Sequence, residues 1–261
     1  MDLMTLIGLV AGVATVYYVL AEGNILHLLL NPVAFVLVFG GTISATLIAY
    51  PWSILKHISG SFRLMFFGRK HSDEDKQQLI EHMTRLAEKA KLSGVESLQA
   101  DVSLSKDQFL KYGLQLIVDG IEHEMVQDIL EKRLLYSHQH NQKINGVFRT
   151  MATFSPIFGL LGTLIGVVQV LRNLSDPSSM GSAMAIAITT TFYGIFAANF
   201  LFLPTAIKLG ELNEDETFRN QIVAEGLLAI SSGDLPIIAR RKLNTFMISY
   251  LKEQEFPQAA G

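Results

Sequence analysis

Four long stretches of this chain carry no Asp, Glu, Lys or Arg, and that decides what it can fold into. They run from Leu3 to Leu20, Leu28 to Leu55, Met151 to Leu171 and Pro177 to Ile207. A helix crossing a bilayer needs about 20 mostly apolar residues, because each residue rises about 1.5 Å through a hydrocarbon layer of about 30 Å. A backbone inside lipid must also satisfy its own hydrogen bonds, which leaves helices or closed barrels. The expectation is an all-α membrane protein with four transmembrane helices near residues 3–20, 31–50, 151–171 and 184–205. Charged residues make up only 17% of the chain and hydrophobic ones 49%, the balance of a membrane protein rather than of an ordinary soluble domain.

The short connections pair these spans into two hairpins, over residues 1–50 and 148–207. The segments 51–147 and 208–261 are left as polar helical mass. Orientation follows from the basic residues. Of the 21 Lys and Arg, Arg172 alone lies in a hairpin loop, and the other 20 lie after the second or the fourth span. Lys56, Arg63, Arg149 and Lys208 crowd the helix ends there. These segments and both termini are therefore expected in the cytoplasm, with the multi-pass hairpins in a bacterial inner membrane. The first span has no basic n-region before it and is expected to stay in the mature chain.

The polar segments read as helices. Leu79, Ile80, Met83, Leu86 and Ala90 recur at three- and four-residue steps within Asp73 to Leu92. Phe109 to Val118 gives a second helix, ended at Asp119-Gly120. A third starts at Glu122 and can run on into the third span. Phe218 to Ile230 gives a helix stopped by Gly233, and Asp234 with Pro236 reads as the next start, Asp as N-cap and Pro in the first turn.

No Asp, Glu, Lys or His lies within the four spans. A chain that relays ions by itself carries an ionisable group inside its bundle, so any acidic group on an ion path must come from another chain. The third and fourth spans are rich instead in small and hydroxylated residues. Gly159, Gly162 and Gly166 permit close helix approach, with Gly162 and Gly166 in GxxxG spacing. Pro156 and Pro204 interrupt the backbone ladder near the expected cytoplasmic ends. Thr163 in the third span and Thr189, Thr190 and Thr191 in the fourth supply hydroxyl oxygens, suited either to packing helices or to lining a path for a hard cation.

Other chemistry is excluded. The chain has no cysteine and a net charge of −3, against a thiol nucleophile, a zinc–cysteine site or a nucleic-acid surface. His123, His138 and His140 lack metal-binding spacing. Ser155 and Ser182 have no patterned His partner, and no phosphate-binding loop is present. Neither an enzyme nor a cofactor is expected.

The sequence resembles the MotA/PomA family, the stator subunits of the bacterial flagellar motor, from Met1 to about residue 245. The most specific matches are Gly162-Thr163-Leu164-Ile165-Gly166, Asn173 to Pro177, Ala183-Met184-Ala185, and Thr190-Thr191-Phe192-Tyr193-Gly194. Weaker ones are Gly40 to Ala45, Val118-Asp119-Gly120 and Glu225-Gly226 with Leu228 to Ile230. The resemblance implies a homo-oligomer, a pentamer, in membrane lipid around a MotB/PomB-like single-span subunit that supplies the membrane Asp. Thr163, Thr190 and Thr191 stand where the sodium-driven branch has threonines and many proton-driven members have Ala, which implies Na+ rather than H+ as the transported ion. Pro156 and Pro204 match positions the family uses for coupling, and Gly194, which closes the fourth-span motif, joins Gly159, Gly162 and Gly166 as an expected helix-packing position. The expected contact with the rotor protein FliG falls on Lys89, Lys91, Glu96, Gln99 and Asp101, with Gln99 where the family has a carboxylate. Two other readings are an ExbB/TolQ-like energising subunit, against which the first hairpin argues, and a membrane scaffold with no ion path.

Overall fold

The structure is a computed structural model that describes residues 3–23, 29–68, 70–172 and 177–255. It is all-α, with no strand among the described residues, and four of its helices are long and apolar enough to cross a membrane. By contact the chain falls into two compact units. One comprises Met1–Arg69 with His140–Leu212, the other Lys70–Gln139 with Asn213–Gly261.

The first unit contains α1 (Leu3–Glu22), α2 (Pro32–Phe35) and α3 (Gly41–Ala49) joined by a π-helical stretch Val36–Gly40, then α4 (Trp52–Leu55) and α5 (Ile58–Phe67). Asn31 starts α2 by accepting from the backbone N–H groups of Val33 and Ala34, and Pro32 supplies the fixed φ of a first helical residue. The threonines of α3 need no outside partner: Thr42 donates to Val38 O at 2.6 Å and Thr46 to Thr42 O at 2.7 Å. Both are buried.

The second unit contains α6 (Asp73–Ser93), a 3₁₀ turn Val95–Leu98, α7 (Gln99–Leu104) and α8 (Gln108–Val118). Ser72 and Asp75 close a reciprocal capping box at the start of α6. Asp107 caps α8 through the N–H groups of Phe109 and Leu110. Gly94, Gly120 and Gly233 take positive φ where helices end, a conformation open to glycine at no steric cost.

The long helices belong to both units by sequence. α9 runs unbroken from His123 to Arg172, with Pro156 inside it. α10 (Pro177–Phe196) leads through a π-helical stretch Ala197–Phe202 into α11 (Leu203–Ser231). The stretch expected as a separate helix from Phe218 is thus the end of α11, because nothing after Pro204 removes a backbone donor until the turn at Gly233. The helix start expected at Asp234 moves by one residue. Leu235 O accepts from Ile238 and Ala239 at the head of α12 (Pro236–Glu255). Asp234 N–H instead closes the end of α11 on Ala229 O, a Schellman-type bond, and its carboxylate pairs with Lys242 at 2.8 Å. That pairing holds the Asp234 carboxyl below its ordinary range.

The core of the second unit is built from Ile80, Met83, Leu98, Leu114, Leu130, Ile222, Leu227 and Leu243, all nearly inaccessible. Within it Lys76 and Asp215 form an ion pair of 3.0 Å with both side chains buried. Asp215 also accepts from the backbone N–H of His71 at 2.8 Å and meets the His71 ring Nδ1 at 2.7 Å. Burial alone would push the Asp215 carboxyl up, but the hydrogen bonds from His71 and Lys76 outweigh it, and the net shift is downward.

Candidate functional site: an oxygen-lined groove between membrane helices

The glycines of the third span are where α9 and α10 touch. A Cβ at Gly159 would lie 2.8 Å from Thr190 O, at Gly166 2.6 Å from the Ala187 Cβ, and at Gly194 2.7 Å from Ser155 O. At Gly162 it would lie 2.5 Å from both Cβ and Cγ2 of Thr190. No real Cβ tolerates such distances, so these four positions set the helix separation. Buried Ser155 ties the seam by donating to Gly194 O at 3.0 Å.

The seam separates the three threonines. Thr190 is wholly buried against Gly162 and donates to Ala187 O at 2.9 Å. Thr191, one residue on and about 100° around the helix, meets the hydroxyl of Thr163. The Thr163 hydroxyl lies 3.2 Å from Gly159 O and 3.3 Å from Ala187 O. The Thr191 hydroxyl lies 3.5 Å and 3.3 Å from the same two carbonyls. Four uncharged oxygens thus gather at one point, two hydroxyls and two carbonyls.

That point opens on a groove of about 480 Å³, bordered by Val16 of α1 and by α10 residues Ile188, Phe192, Ile195 and Phe196, with Asn199 and Phe200 beyond. No charged residue among the described ones lines it. Phe192, Phe196 and Phe200 stack in series at 5.7 and 4.8 Å between centroids, a consequence of their i, i+4 spacing. Gly12 leaves room for the Phe200 ring, which a Cβ there would meet at 2.5 Å. Tyr193, on the far side of the same turn, donates to Leu29 O and packs against Phe35 and Phe39.

Pro204 shapes the cytoplasm-facing end expected for this helix. Having no N–H, it cannot bond Phe200 O, and an α-helical path would drive its ring into that carbonyl. The preceding residues widen into the π turn. Leu203 N–H bonds Ala198 O, so the Asn199 carbonyl receives neither the α-type bond from residue 203 nor a π-type bond from Pro204. The Asn199 side chain donates to Ile195 O at 2.9 Å. Pro156 likewise removes the N–H that would reach Ala152 O, within a helix that stays continuous.

The residues expected to touch a rotor lie in the second unit, and Lys89, Lys91 and Asp101 are engaged within it. Lys89 pairs with Asp101 at 2.6 Å, and Lys91 donates to Gly233 O at 2.7 Å. Glu96 and Gln99 are exposed. The three histidines weighed as metal ligands have other neighbours: His123 meets Ser231 at 2.6 Å, His138 meets Thr217 at 3.2 Å, and His140 packs edge-on against His57. Asn173–Asp176 of the hairpin loop lie outside the described residues.

Sequence reasoning did not find the Gly159 and Ala187 carbonyls, since any residue can supply one. The Phe192, Phe196, Phe200 series was readable from its spacing alone.

Residues 6–94 match the profile of the motility protein A N-terminal region, and residues 102–221 that of the MotA/TolQ/ExbB proton channel family. Motility protein A of Borreliella burgdorferi is 39% identical over 184 residues, 70% of each chain. The chain belongs to the motility protein A family. Two solved structures agree. The C. jejuni MotAB structure superposes with a TM-score of 0.84 at 25% identity, covering 94% of this chain and 96% of that one. The flagellar MotAB stator complex of Bacillus subtilis gives 0.78 at 29% identity, covering 97% and 98%. The motility protein A family consists of ion-channel subunits, not enzymes. The match over 6–94 covers the first hairpin, which the ExbB/TolQ reading left unexplained.

Proposed function

We propose that this chain is the path-lining stator subunit of a bacterial flagellar motor, coupling sodium flow to torque. The observation that carries the reading is the cluster of Thr163 Oγ, Thr191 Oγ, Gly159 O and Ala187 O at the edge of a groove, in spans with no acidic residue. A sodium ion giving up its water needs replacement oxygens, for which hydroxyls and carbonyls serve. A proton needs only a carboxylate. The carboxylate comes from a MotB/PomB-like single-span partner, whose helix lies along the groove and brings its Asp to the threonines. Thr190 holds the two helices at the spacing that keeps Thr163 and Thr191 together. Pro156 and Pro204 let the helix ends shift as the ion passes.

Five copies surround two partner helices in the inner membrane. Both termini and the second unit lie in the cytoplasm, as the basic residues at the helix ends support, and the second unit reaches the rotor protein FliG. The runner-up is proton coupling, favoured by the family's description as a proton channel.

The test is complementation of stator-less cells with this chain and a MotB-type partner. Swimming speed is followed against external sodium at fixed pH and ionic strength. Speed should rise with sodium, and Thr163→Ala or Thr191→Ala should raise the sodium needed or stop swimming. Speed indifferent to sodium would remove the sodium assignment and leave the proton-driven stator.

A further inference from the structure

Between Glu22 and Asp73 the chain has no acidic residue, yet just after the second span it carries Lys56, Arg63, Arg69 and Lys70. The helices of this stretch, α4 and α5, are held where spans end. Tyr50 and Thr150 share a hydroxyl–hydroxyl bond of 2.8 Å, at the foot of the expected second span and the head of the third. The sulfur of buried Met65 in α5 accepts from the Thr205 hydroxyl at 3.1 Å, at the foot of the expected fourth span. Ile58 packs against the cluster of Phe148, Ala206 and Leu209. Chain continuity and these contacts keep α5 at the level where three spans leave the hydrocarbon.

Ser61 and Met65 turn into the fold, and the side of α5 turned away from them is open. Gly60, Arg63, Leu64 and Phe67 recur at steps of three and four residues, so they share one face, and all four are exposed. Leu64 and Phe67 are 44% and 63% exposed, and Trp52 of α4, the single tryptophan of the chain, is 74% exposed. A Cβ at Gly60 would meet nothing within 4 Å, so the helix surface is bare between Lys56 and Arg63. These two cations are exposed and enter no ion pair among the described residues. Glu211 of α11 borders a separate groove on the Met65 side, together with Lys208.

We propose that α4 and α5 form a binding site for an anionic phospholipid of the adjoining leaflet, its acyl chains along Trp52, Leu64 and Phe67 and its phosphate over Gly60 between Lys56 and Arg63. The proposal rests on the placement of the spans in a bilayer, and on neither the motor nor the ion. A helix at a bilayer surface sinks its aromatic and aliphatic side chains to the boundary of headgroups and acyl chains, while Lys and Arg reach the phosphates. Tryptophan favours that depth because its ring is apolar and its N–H polar. Two cations at about 1 kcal/mol each correspond to a preference of about thirtyfold over a neutral lipid, at tenfold per 1.4 kcal/mol. A free phosphate would leave the apolar part of this face uncovered. A soluble acidic helix would have to sit at the depth of the lipid headgroups.

The test reads Trp52 fluorescence in the full chain, purified with its MotB-type partner into bilayer discs. The discs contain phosphatidylglycerol or phosphatidylcholine brominated on the acyl chains, at equal bromine content. Trp52→Phe, measured in parallel, gives the signal of any tryptophan in the partner, which is subtracted. Brominated phosphatidylglycerol should quench Trp52 with a relative affinity up to about thirtyfold above phosphatidylcholine at low salt. Lys56→Gln with Arg63→Gln should bring the two lipids to parity. Equal quenching by both lipids in the unmodified chain would overturn the proposal, as would a preference that survives the double substitution. Absence of quenching by either lipid would show the face covered by a second copy or by solvent, and would overturn it too. If the double variant does not assemble, salt decides: the preference of the unmodified chain should collapse as ionic strength rises, and a salt-independent preference would overturn the proposal. Swimming plays no part in this readout, so failure to restore motility would remove the stator reading and leave the lipid site standing.

Discussion

Replacing Gly162 by Ala tests the seam on which the oxygen cluster depends. The new Cβ would stand 2.5 Å from both Cβ and Cγ2 of Thr190, whereas carbon atoms at rest lie about 3.5–4.0 Å apart. Thr190 has no route of escape, being wholly buried with its hydroxyl on Ala187 O. α9 and α10 must therefore part locally by about 1 Å or more. The 3.0 Å bond from Ser155 to Gly194 O then lengthens, and Thr163 moves away from Thr191. Overpacking of this kind costs about 1–3 kcal/mol. At about 2–4 °C per kcal/mol for a chain of this size, the melting temperature of the purified complex should fall by about 2–12 °C. The assay is fluorescence-detected size exclusion after heating, with Gly8→Ala as reference, since a Cβ at Gly8 meets nothing within 4 Å. Gly8→Ala should be neutral or slightly stabilising, as alanine is favoured over glycine in a helix by up to about 1 kcal/mol. Equal melting temperatures for the two variants would refute the claim that Gly162 sets the helix separation, and with it the account of why Thr163 and Thr191 meet.

Three further outcomes are expected. Lys76→Met leaves the buried Asp215 carboxylate with His71 as its remaining partner and should destabilise the second unit by up to about 3–5 kcal/mol, with part of it recovered in Lys76→Met with Asp215→Leu; chemical denaturation followed by circular dichroism reads both. Because the folded Asp215 carboxyl is held below its unfolded value of about 3.9, its contribution is fully present above that value and is lost as pH falls through the lower folded one. The acid limb of stability against pH should accordingly flatten in Asp215→Asn. Ser155→Ala removes the donor to Gly194 O and should cost about 0.5–1.5 kcal/mol, seen as a small drop in melting temperature with the complex still assembled.

Much of this protein follows from the order of its residues. Four uncharged stretches fix the class, because an apolar run that spans lipid has to be helical, and the basic residues at the helix ends carry the expected orientation. The lack of any carboxylate in the spans requires a second chain for any ion path. The three glycines of the third span announce a close helix contact. What a single helix cannot announce is which of two adjacent threonines faces its neighbour. Thr190 and Thr191 differ by about 100° around the axis, and only the position of Gly162 on α9 decides that one is covered and the other is open. The same holds for the carbonyls of Gly159 and Ala187, which become ligand candidates through where the backbones meet. It holds too for Lys89 and Lys91, whose charges look free in sequence and are engaged by Asp101 and by the Gly233 carbonyl 142 positions away. Periodicity and charge act along one helix and so are legible in the chain. Which face is covered depends on a partner distant in sequence, and only the packed structure supplies it.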